Sequence, residues 1–249
     1  MILANHGIIS SSGGLPPSTL LTNLYAVYKA ENNANDSLGA YNGTAQGGLT
    51  YSAGKSGNAF DLNGTNSYVD YVDVLDVGLS SFSYNLWCFP TNLSFSRCLF
   101  SKTSWSAGGG RHALRVDSGL LVVYLILNDG KLIEIRDNST VLNGNQWYNL
   151  TVVYDRSDKI KIYVNGVLST NIGSLGTATN NLIPYASDNL NNSFPFRIGC
   201  LSGDGSGSLN PNAFFQGKID EFCVWNKALT QSEITDLYNS GTGKFYPTF

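Results

Sequence analysis

The sequence predicts an all-β protein, built as an antiparallel sandwich with one short C-terminal helix and an extended N-terminal arm. Three observations predict this class. The 249 residues are rich in Gly, Tyr and Phe, and only 13% are charged, which is typical of a β-protein with many turns. Segments of strand-like alternation follow one another without a βαβ rhythm. Helical periodicity with capping signals occurs only near the C-terminus.

The N-terminal segment is predicted to be an arm. Residues 1–20 contain "SSSGG", a flexible hinge, and "LPPS", a stiff extended stretch. The start has no basic region before its apolar residues, so we predict no signal peptide and expect folding in a cytoplasm. Residues 21–249 are predicted to form one domain. The arm is too small to fold alone and is expected to attach to another protein through Ile2, Leu3, Ile8 and Ile9.

Strands follow from alternation and from two-residue turns. Asp-Gly at 129–130 and Asn-Gly at 165–166 each separate two apolar runs and predict β-hairpins. "SFSYNLWCF" alternates cleanly. Its predicted core face carries Phe82, Tyr84, Leu86 and Cys88.

The opposite strand faces are unexpectedly apolar. Trp87 and Phe89 lie on the outer face of "SFSYNLWCFP", and Cys223 and Trp225 lie on the outer face of "IDEFCVWN". Large apolar side chains on a nominally solvated face indicate a cover. The cover is either another subunit, with Trp87 and Phe89 as the oligomer contact, or loops of the same chain.

The predicted helix has signals at both ends. Thr230 is an N-cap, Glu233 completes a capping box, and Leu229 is placed to pack on Ile234. Gly241 is the expected stop. So short a helix must dock on the sandwich. Its apolar stripe consists of Ile234, Leu237 and Tyr238.

Charge and cysteine content exclude several classes of partner. A net charge of −3 offers nothing to attract nucleic acid or an anionic membrane surface. No apolar run approaches the roughly 20 residues of a membrane helix. The cysteine spacing fits neither a disulfide framework nor a zinc site. We therefore predict buried free thiols at Cys88, Cys98, Cys200 and Cys223.

Five segments between residues 24 and 243 resemble laminin-G-like domains in order and spacing. They are "LYAVYKAENNANDSLGAYNGTA", "GKSGNAFDLNGTNSYVDY", "SFSYNLWCFP", "NQWYNLTVVYDRSDKIKIYVNGVL" and "GKIDEFCVWNKALTQSEITDLYNSG". The resemblance implies the concanavalin A-like lectin/glucanase jelly roll. In that fold the last core strand pairs beside the first, and the short helix covers one end of the sandwich. The fold hosts lectins, hydrolases, adhesion modules and structural domains, so it does not define the activity.

Catalytic carboxylates are not predicted. Glycosidases on this fold need two carboxylates at a fixed separation on one strand. Asp70, Asp73 and Asp76 recur at a spacing of three, which scatters them over both faces of a strand. With no nucleophile motif beside either histidine, we predict that the chain is not an enzyme.

The remaining acidic residues are interpreted as structural. Glu134 and Asp137 stand isolated, and the neighbours Asp220 and Glu221 are expected to point to opposite faces of a strand. We predict that these carboxylates are solvated or cap turns.

The resemblance also implies a structural Ca²⁺. Its ligands would be Asp220, at the last strand, and Asp36 in "NDSLG", together with further oxygens such as backbone carbonyls. The alternative is that Asp36 caps a turn and Asp220 makes a buried hydrogen bond.

A glycan site would need aromatic platforms beside polar loop residues. The candidates are Trp105 in "KTSWSAGGGRH" and Tyr185 in "NNLIPYASDNLNNS", with Asp204 and Asn210 in "SGDGSGSLNPN". The alternative is that these Asn-rich loops are simply good turn formers.

Three functions compete. The main prediction is a non-enzymatic bacteriophage virion protein (head fibre, capsid decoration or tail appendage), because the arm resembles phage attachment segments and the family mostly acts outside cells. Such a protein would dock on other virion proteins, self-associate as a trimer by analogy with phage fibres, and contact host glycans. Its location would be the virion or, alternatively, the extracellular space. The alternative is a carbohydrate-binding lectin module, and a glycoside hydrolase ranks third.

Overall fold

The structure is a computed structural model that describes residues 18–103, 109–176, 179–202 and 211–249. The strands of its first half are β1 (Leu24–Tyr28), β2 (Thr44–Gln46), β3 (Thr50–Ala53), β4 (Asn58–Asn63), β5 (Tyr68–Asp70), β6 (Phe82–Pro90), β7 (Arg97–Lys102), β8 (Arg111–Asp117) and β9 (Leu120–Ile126). Those of its second half are β10 (Leu132–Val141), β11 (Tyr148–Tyr154), β12 (Ile160–Val164), β13 (Val167–Leu168), β14 (Ile172–Ser174), β15 (Phe196–Ile198), β16 (Leu201–Ser202), β17 (Pro211–Asn212) and β18 (Gln216–Trp225). The helix α1 is Gln231–Tyr238, and short 3-10 turns are Thr19–Leu21, Ile183–Tyr185 and Asn239–Gly241.

Two antiparallel sheets, of eight strands each within the described ranges, form the sandwich. The first sheet runs β13-β12-β11-β6-β18-β4-β3, and β1 also pairs with β18. The second sheet runs β14-β10-β9-β8-β7-β15-β5-β2. This confirms the predicted two-sheet sandwich with its single short α-helix near the C-terminus.

The core lies between the sheets and is dominated by aromatic rings. Tyr84 and Phe82 of β6 face inward as predicted, and both are fully buried. The Tyr84 ring lies 4.4 Å from that of Phe100, centroid to centroid. Tilted ring pairs of this kind stabilise a core beyond the area they bury. The side chains of β6 that were predicted to face the core are therefore the ones that pack in it.

The last strand pairs with the first, as the resemblance implies. Val27 of β1 is opposite Cys223 of β18, and the strands are antiparallel. On its other side β18 pairs with β6, where the register shifts between Asp220 and Cys223. Such a shift marks a β-bulge, in which one strand carries an extra residue. Glu221 occupies the bulge with a positive φ of 48°.

Helix α1 begins as the sequence predicts. The Thr230 side chain accepts from the Glu233 N–H, and the Glu233 side chain accepts from the Thr230 N–H. The helix ends at Tyr238, before the expected stop at Gly241, because Asn239 takes the left-handed conformation with φ 46°. Among the described residues no helix is long and apolar enough to cross a membrane.

The helix packs on the outer face of the first sheet rather than over one end of the sandwich. Ile234 and Leu237 are buried in one cluster with Cys223 and Trp225 of β18. The indole N–H of Trp225 donates to the Leu20 carbonyl at 2.7 Å. The apolar outer face predicted around Cys223 and Trp225 is thus covered by the chain itself.

Trp87 is also covered within the chain, which corrects its assignment as an oligomer contact. Its side chain is 2% exposed, stacks on Tyr238 at 6.1 Å and lies 4.4 Å beneath the Lys55 ammonium. Phe89 remains partly exposed beside Trp147, with ring centroids 5.5 Å apart. Self-association as a trimer stays a prediction, with Phe89 as its remaining contact.

The four cysteines are free and buried, which confirms the sequence prediction. Burial raises the pKa of the Cys98 thiol to about 12 and raises the pKa values of Cys88, Cys200 and Cys223 as well. A buried thiol with a raised pKa is a poor nucleophile and a poor metal ligand.

Replacing the helix cap tests how much α1 contributes to the fold. Thr230→Ala removes the acceptor for the Glu233 N–H and is expected to lower the free energy of unfolding by about 1 kcal/mol. Thr235→Ala, at an exposed position inside the same helix, is the matched control and should change stability by less than about 0.5 kcal/mol. Urea unfolding followed by fluorescence measures both, and equal effects would contradict the capping role.

Candidate functional site

Asp36 organises the turn that follows β1. Its side chain is buried, and its two oxygens accept hydrogen bonds only from backbone N–H groups in the described part of the chain. The donors are Val27, Leu38, Ala40 and Tyr41, at 2.9–3.2 Å. This geometry matches the alternative reading of Asp36 as a turn cap.

Asp220 is fully buried and is also held by backbone amides. One carboxylate oxygen accepts from the Lys55 and Ser56 N–H groups at 2.7 and 3.0 Å, and the other accepts from the Glu221 N–H at 2.8 Å. Burial raises the pKa of Asp220 to about 7, although these hydrogen bonds lower it. Asp220 thus makes buried hydrogen bonds, which was the predicted alternative to calcium binding.

The hydrogen bonds of Asp36 and Asp220 match the two structural alternatives, a turn cap and a buried hydrogen bond. Every oxygen of both carboxylates accepts at least one backbone N–H hydrogen bond, which leaves fewer lone pairs for a Ca²⁺ ion. No group of three or more His, Cys, Asp or Glu side chains in the described ranges is arranged to hold a metal. Calcium binding therefore stays a prediction, to be tested by chelation and thermal melting.

Glu221 is the acidic residue that the sequence reasoning misplaced. Its side chain is 2% exposed, and neither carboxylate oxygen accepts a hydrogen bond of normal geometry from a described group. Burial and then the Asp220 charge raise the pKa of Glu221 to about 8, while Lys29 and Ser56 lower it. Simple alternation cannot reveal the bulge that turns this carboxylate inward.

These two carboxyl groups predict a stability that depends on pH. Both folded pKa values lie above the value near 4 of an unfolded carboxyl, so the folded protein binds more protons than the unfolded chain between about pH 4 and pH 8. The free energy of unfolding should therefore fall as the pH rises through this window. Glu221→Gln should make the free energy of unfolding decrease less between about pH 4 and pH 8, because one of the two titrating groups is removed. Thermal melts from pH 5 to 8, with a chelator present, measure it.

The control for this measurement is Asp61→Asn, because Asp61 lies on the same sheet and is only partly buried. This variant should keep the pH dependence of the original chain. A melting temperature that is flat from pH 5 to 8 in the unsubstituted protein would show that Asp220 and Glu221 ionise normally.

The other acidic residues considered above mostly form ion pairs. Asp73 and Asp76 both contact the ammonium group of the fully buried Lys102, at 2.7 and 3.4 Å. Asp70 contacts Arg197 at 3.1 Å. These contacts anchor the segment after β5 on the second sheet, so the carboxylates are structural as predicted but are not simply solvated.

The outer face of the second sheet carries a cluster of polar side chains, here called the polar face, formed by Arg115, Asp117, Tyr124 and Glu134. Arg115 forms an ion pair with Glu134 and lies 3.7 Å from Asp117. Tyr124 is the cross-strand partner of Glu134. Glu134 is therefore not isolated, as the sequence suggested.

Two buried atoms of the polar face have no hydrogen-bond partner among the described groups. They are Nε of Arg115 and Oδ1 of Asp117. Burial is the main cause that raises the pKa of Tyr124, so its phenol stays protonated and able to donate. The face thus presents donors and acceptors together, next to an aromatic ring.

The loops predicted to bind glycan begin at this face. A small cavity of about 10 Å³, roughly the space for one water molecule, is lined by Thr103, Arg115, Tyr124 and Leu201. Thr103 immediately precedes residues 104–108, and Leu201 lies shortly before residues 203–210. The candidates Trp105, Asp204 and Asn210 themselves lie outside the described residues, as do the arm residues Ile2, Leu3, Ile8 and Ile9.

Tyr185 lies in a separate place. The Lys131 ammonium sits 4.7 Å from the centre of its ring, and the Arg156 guanidinium donates to the carbonyls of Tyr185 and Asp188. No hydrogen bond or ring contact among described residues joins Tyr185 to the polar face. Tyr185 thus lies apart from the polar face within the described ranges, and its grouping with Trp105, Asp204 and Asn210 stays a prediction.

One known family profile matches most of this chain. The profile described as the concanavalin A-like lectin/glucanases superfamily, Laminin_G_3, matches residues 63–235, more than two thirds of the chain. The protein belongs to this superfamily, which confirms the resemblance drawn from its motifs. A search of curated proteins found no match.

Solved structures of the same fold include toxin and enzyme-associated domains. The binding domain of Paraclostridial Mosquitocidal Protein 1 is 19% identical with a TM-score of 0.67, and the match covers 88% of this chain and 52% of that one. The binding domain of botulinum neurotoxin DC, solved in complex with SialylT, is 18% identical with a TM-score of 0.62, covering 88% and 52%. The present chain thus spans about half the length of these toxin domains.

A third similar structure matches over nearly its whole length. Domain 4 of AbnA, a GH43 extracellular arabinanase from Geobacillus stearothermophilus, was solved in complex with arabinotriose. It is 24% identical with a TM-score of 0.61, and the match covers 86% of this chain and 97% of that domain. At these identities the likeness shows the shared fold.

Proposed function

We propose that the protein is a non-enzymatic carbohydrate-binding module and that the polar face of the second sheet contacts the glycan. Similar folds occur in a domain solved with arabinotriose and in toxin binding domains. These comparisons favour the lectin alternative over the virion role. The observation that carries the proposal is the pair of unpaired polar atoms on the polar face, Nε of Arg115 beside Tyr124 and Oδ1 of Asp117 beyond it.

Sugar hydroxyl groups match this chemistry because each can donate and accept a hydrogen bond. One sugar hydroxyl would accept a hydrogen bond from Arg115 Nε, and another would donate one to Asp117 Oδ1, so both unpaired atoms would gain a partner. Buried polar atoms cost free energy when they are left unpaired. Bonds to charged groups are stronger than neutral ones. The Tyr124 ring adds an apolar surface for sugar C–H groups.

The distribution of carboxylates supports a binding role rather than hydrolysis. A glycosidase needs a carboxylic acid that keeps its proton and reaches the glycosidic oxygen. The described carboxyl groups with clearly raised pKa values, Asp220 and Glu221, are buried in the first sheet and cannot reach a polymer. On the polar face, Glu134 is held in an ion pair with Arg115.

Titration with oligosaccharides tests the proposal. A glycan array followed by calorimetry, with arabinotriose as the first ligand, should show binding by the full chain. Arg115→Ala and Tyr124→Ala should each weaken it by about tenfold, the scale of one charged hydrogen bond or one aromatic contact. Lys218→Ala, on the outer face of the first sheet, is the control and should bind like the unsubstituted protein.

Two outcomes would overturn the proposal. An array without any hit removes the lectin function, and reducing sugar released from a polysaccharide removes the non-enzymatic assignment. Equal binding by Arg115→Ala, Tyr124→Ala and Lys218→Ala would leave carbohydrate binding standing but move it away from the polar face.

Attachment to a phage particle stays a prediction, since the arm lies beyond the part of the chain that the structure describes. Deleting residues 1–14 is expected to leave the melting temperature unchanged, because the described core starts with Leu20. The same deletion should abolish incorporation into particles. Normal incorporation of the shortened chain, or absence of the full chain from purified virions, would refute the virion role.

A further inference from the structure

A cleft opens at the edge of the sandwich, far larger than the cavity of the polar face. Its volume is about 310 Å³, which reaches the range of about 300–1,000 Å³ typical of small-molecule sites. Strands β12 and β13 of the first sheet border it on one side, and β14 of the second sheet borders it on the other. Its lining consists of Lys159, Ile160, Lys161, Leu168, Ser169, Thr170, Ile172 and Asn180.

One residue of the lining and one residue beside it each carry a buried polar atom without a hydrogen-bond partner in the described part of the chain. The Ser169 side chain is 8% exposed and lines the cleft, and its hydroxyl is unpaired. Asp137 is fully buried, and its Oδ2 is unpaired while Oδ1 accepts from the Ser139 N–H. Because Asp137 is the cross-strand partner of Ile172, both side chains project from the same face, so Asp137 lies directly behind the Ile172 wall of the cleft.

The rest of the lining combines apolar walls with modest charge. Ile160, Leu168 and Ile172 supply aliphatic surface. Two lysines belong to the lining. Lys161 is neutralised by two aspartates, each with a carboxylate oxygen 3.0 Å from its ammonium, and Lys159 is exposed at the rim. A purely apolar ligand would leave Ser169 and Asp137 unpaired, and an anion would meet the Asp137 carboxylate. The lining suits a neutral ligand that has both hydroxyl groups and C–H surface.

We propose that this cleft is a second carbohydrate subsite that takes one neutral sugar residue, separate from the polar face. One sugar hydroxyl donates a hydrogen bond to Asp137 Oδ2, and another forms a hydrogen bond with the Ser169 hydroxyl. Ile160 and Ile172 contact the C–H groups of the sugar. A single buried water could pair these atoms, but the cleft, at about 310 Å³, exceeds the roughly 10–15 Å³ that one water needs about twentyfold or more. The choice of a sugar, rather than another neutral polyol, rests on the proposed function.

Methyl NMR of the full chain tests the subsite directly. The probes are methyl glycosides of arabinofuranose, galactose, glucose and mannose, titrated into protein labelled at isoleucine methyls. At least one glycoside should shift the Ile160 and Ile172 methyl signals with saturation. The Ile234 methyl, buried beneath helix α1, is the internal control and should not move.

Variants of the cleft identify the contacts. Ser169→Ala should weaken the glycoside about three- to tenfold, the value of one neutral hydrogen bond. Asp137→Asn should weaken it by a similar factor or more, and it keeps an oxygen for the Ser139 amide. Val167→Ala, at an exposed neighbouring position outside the lining, is the matched control and should bind normally. Melting temperatures show that each variant is folded.

The possible results separate this subsite from the proposed function. Glycosides that shift only signals near Arg115 and Tyr124 would overturn the subsite and leave carbohydrate binding intact. Shifts at Ile160 and Ile172 that persist after Arg115→Ala but weaken after Ser169→Ala would support the subsite as an independent site. No saturable shift with any glycoside, together with no hit on the glycan array, would overturn both.

Discussion

The position of the last strand is the constraint on which the rest of the structure depends. β18 lies in the middle of the first sheet, between β6 on one side and β4 and β1 on the other. Its pairs are therefore almost all between residues far apart in the sequence. Closing such long loops is entropically costly until the hydrogen bonds and the core form together. The sandwich should accordingly assemble as one cooperative unit in which the two ends of the domain meet.

That central strand also explains the apolar outer face of the first sheet. The outer face of a sandwich sheet commonly meets water, but β18 carries Cys223 and Trp225 on that face in the middle of the sheet. Helix α1, which follows directly, folds back and buries both residues. Tyr238 then reaches Trp87. Helix α1 therefore covers this outer face within one chain, whereas the sequence alone also allowed another subunit to cover it. A short amphipathic helix gains its stability only from such packing.

Buried polar groups in this molecule differ in whether the chain itself supplies their hydrogen-bond partners. Asp36, Asp220 and Lys102 are each surrounded by partners and hold loops against the sheets. By contrast, the polar face and the edge cleft contain polar atoms that no described group satisfies. Since an unpaired buried polar group costs free energy, ligands with hydroxyl groups are natural partners for both places. The polar face lies on the outer face of the second sheet and the cleft lies at the edge between the two sheets, so the two proposed sites are separate.

The sequence by itself determined the sandwich, the hairpin turns, the capped helix, the buried thiols and the superfamily, because these depend on local periodicity, capping and motif order. Its predictions for single side chains were less successful. Asp220 and Glu221 were expected in solvent or at turns, with a buried hydrogen bond as the alternative for Asp220, and both side chains are buried beside a bulge. Trp87 was expected under a cover from another subunit or from the same chain, and Tyr238 of the same chain covers it. Only the tertiary structure brought Arg115, Tyr124 and Glu134 together, and only it placed Asp137 and Ser169 at one cleft. Such groupings depend on register between distant strands, and a shift of one residue would reverse every face.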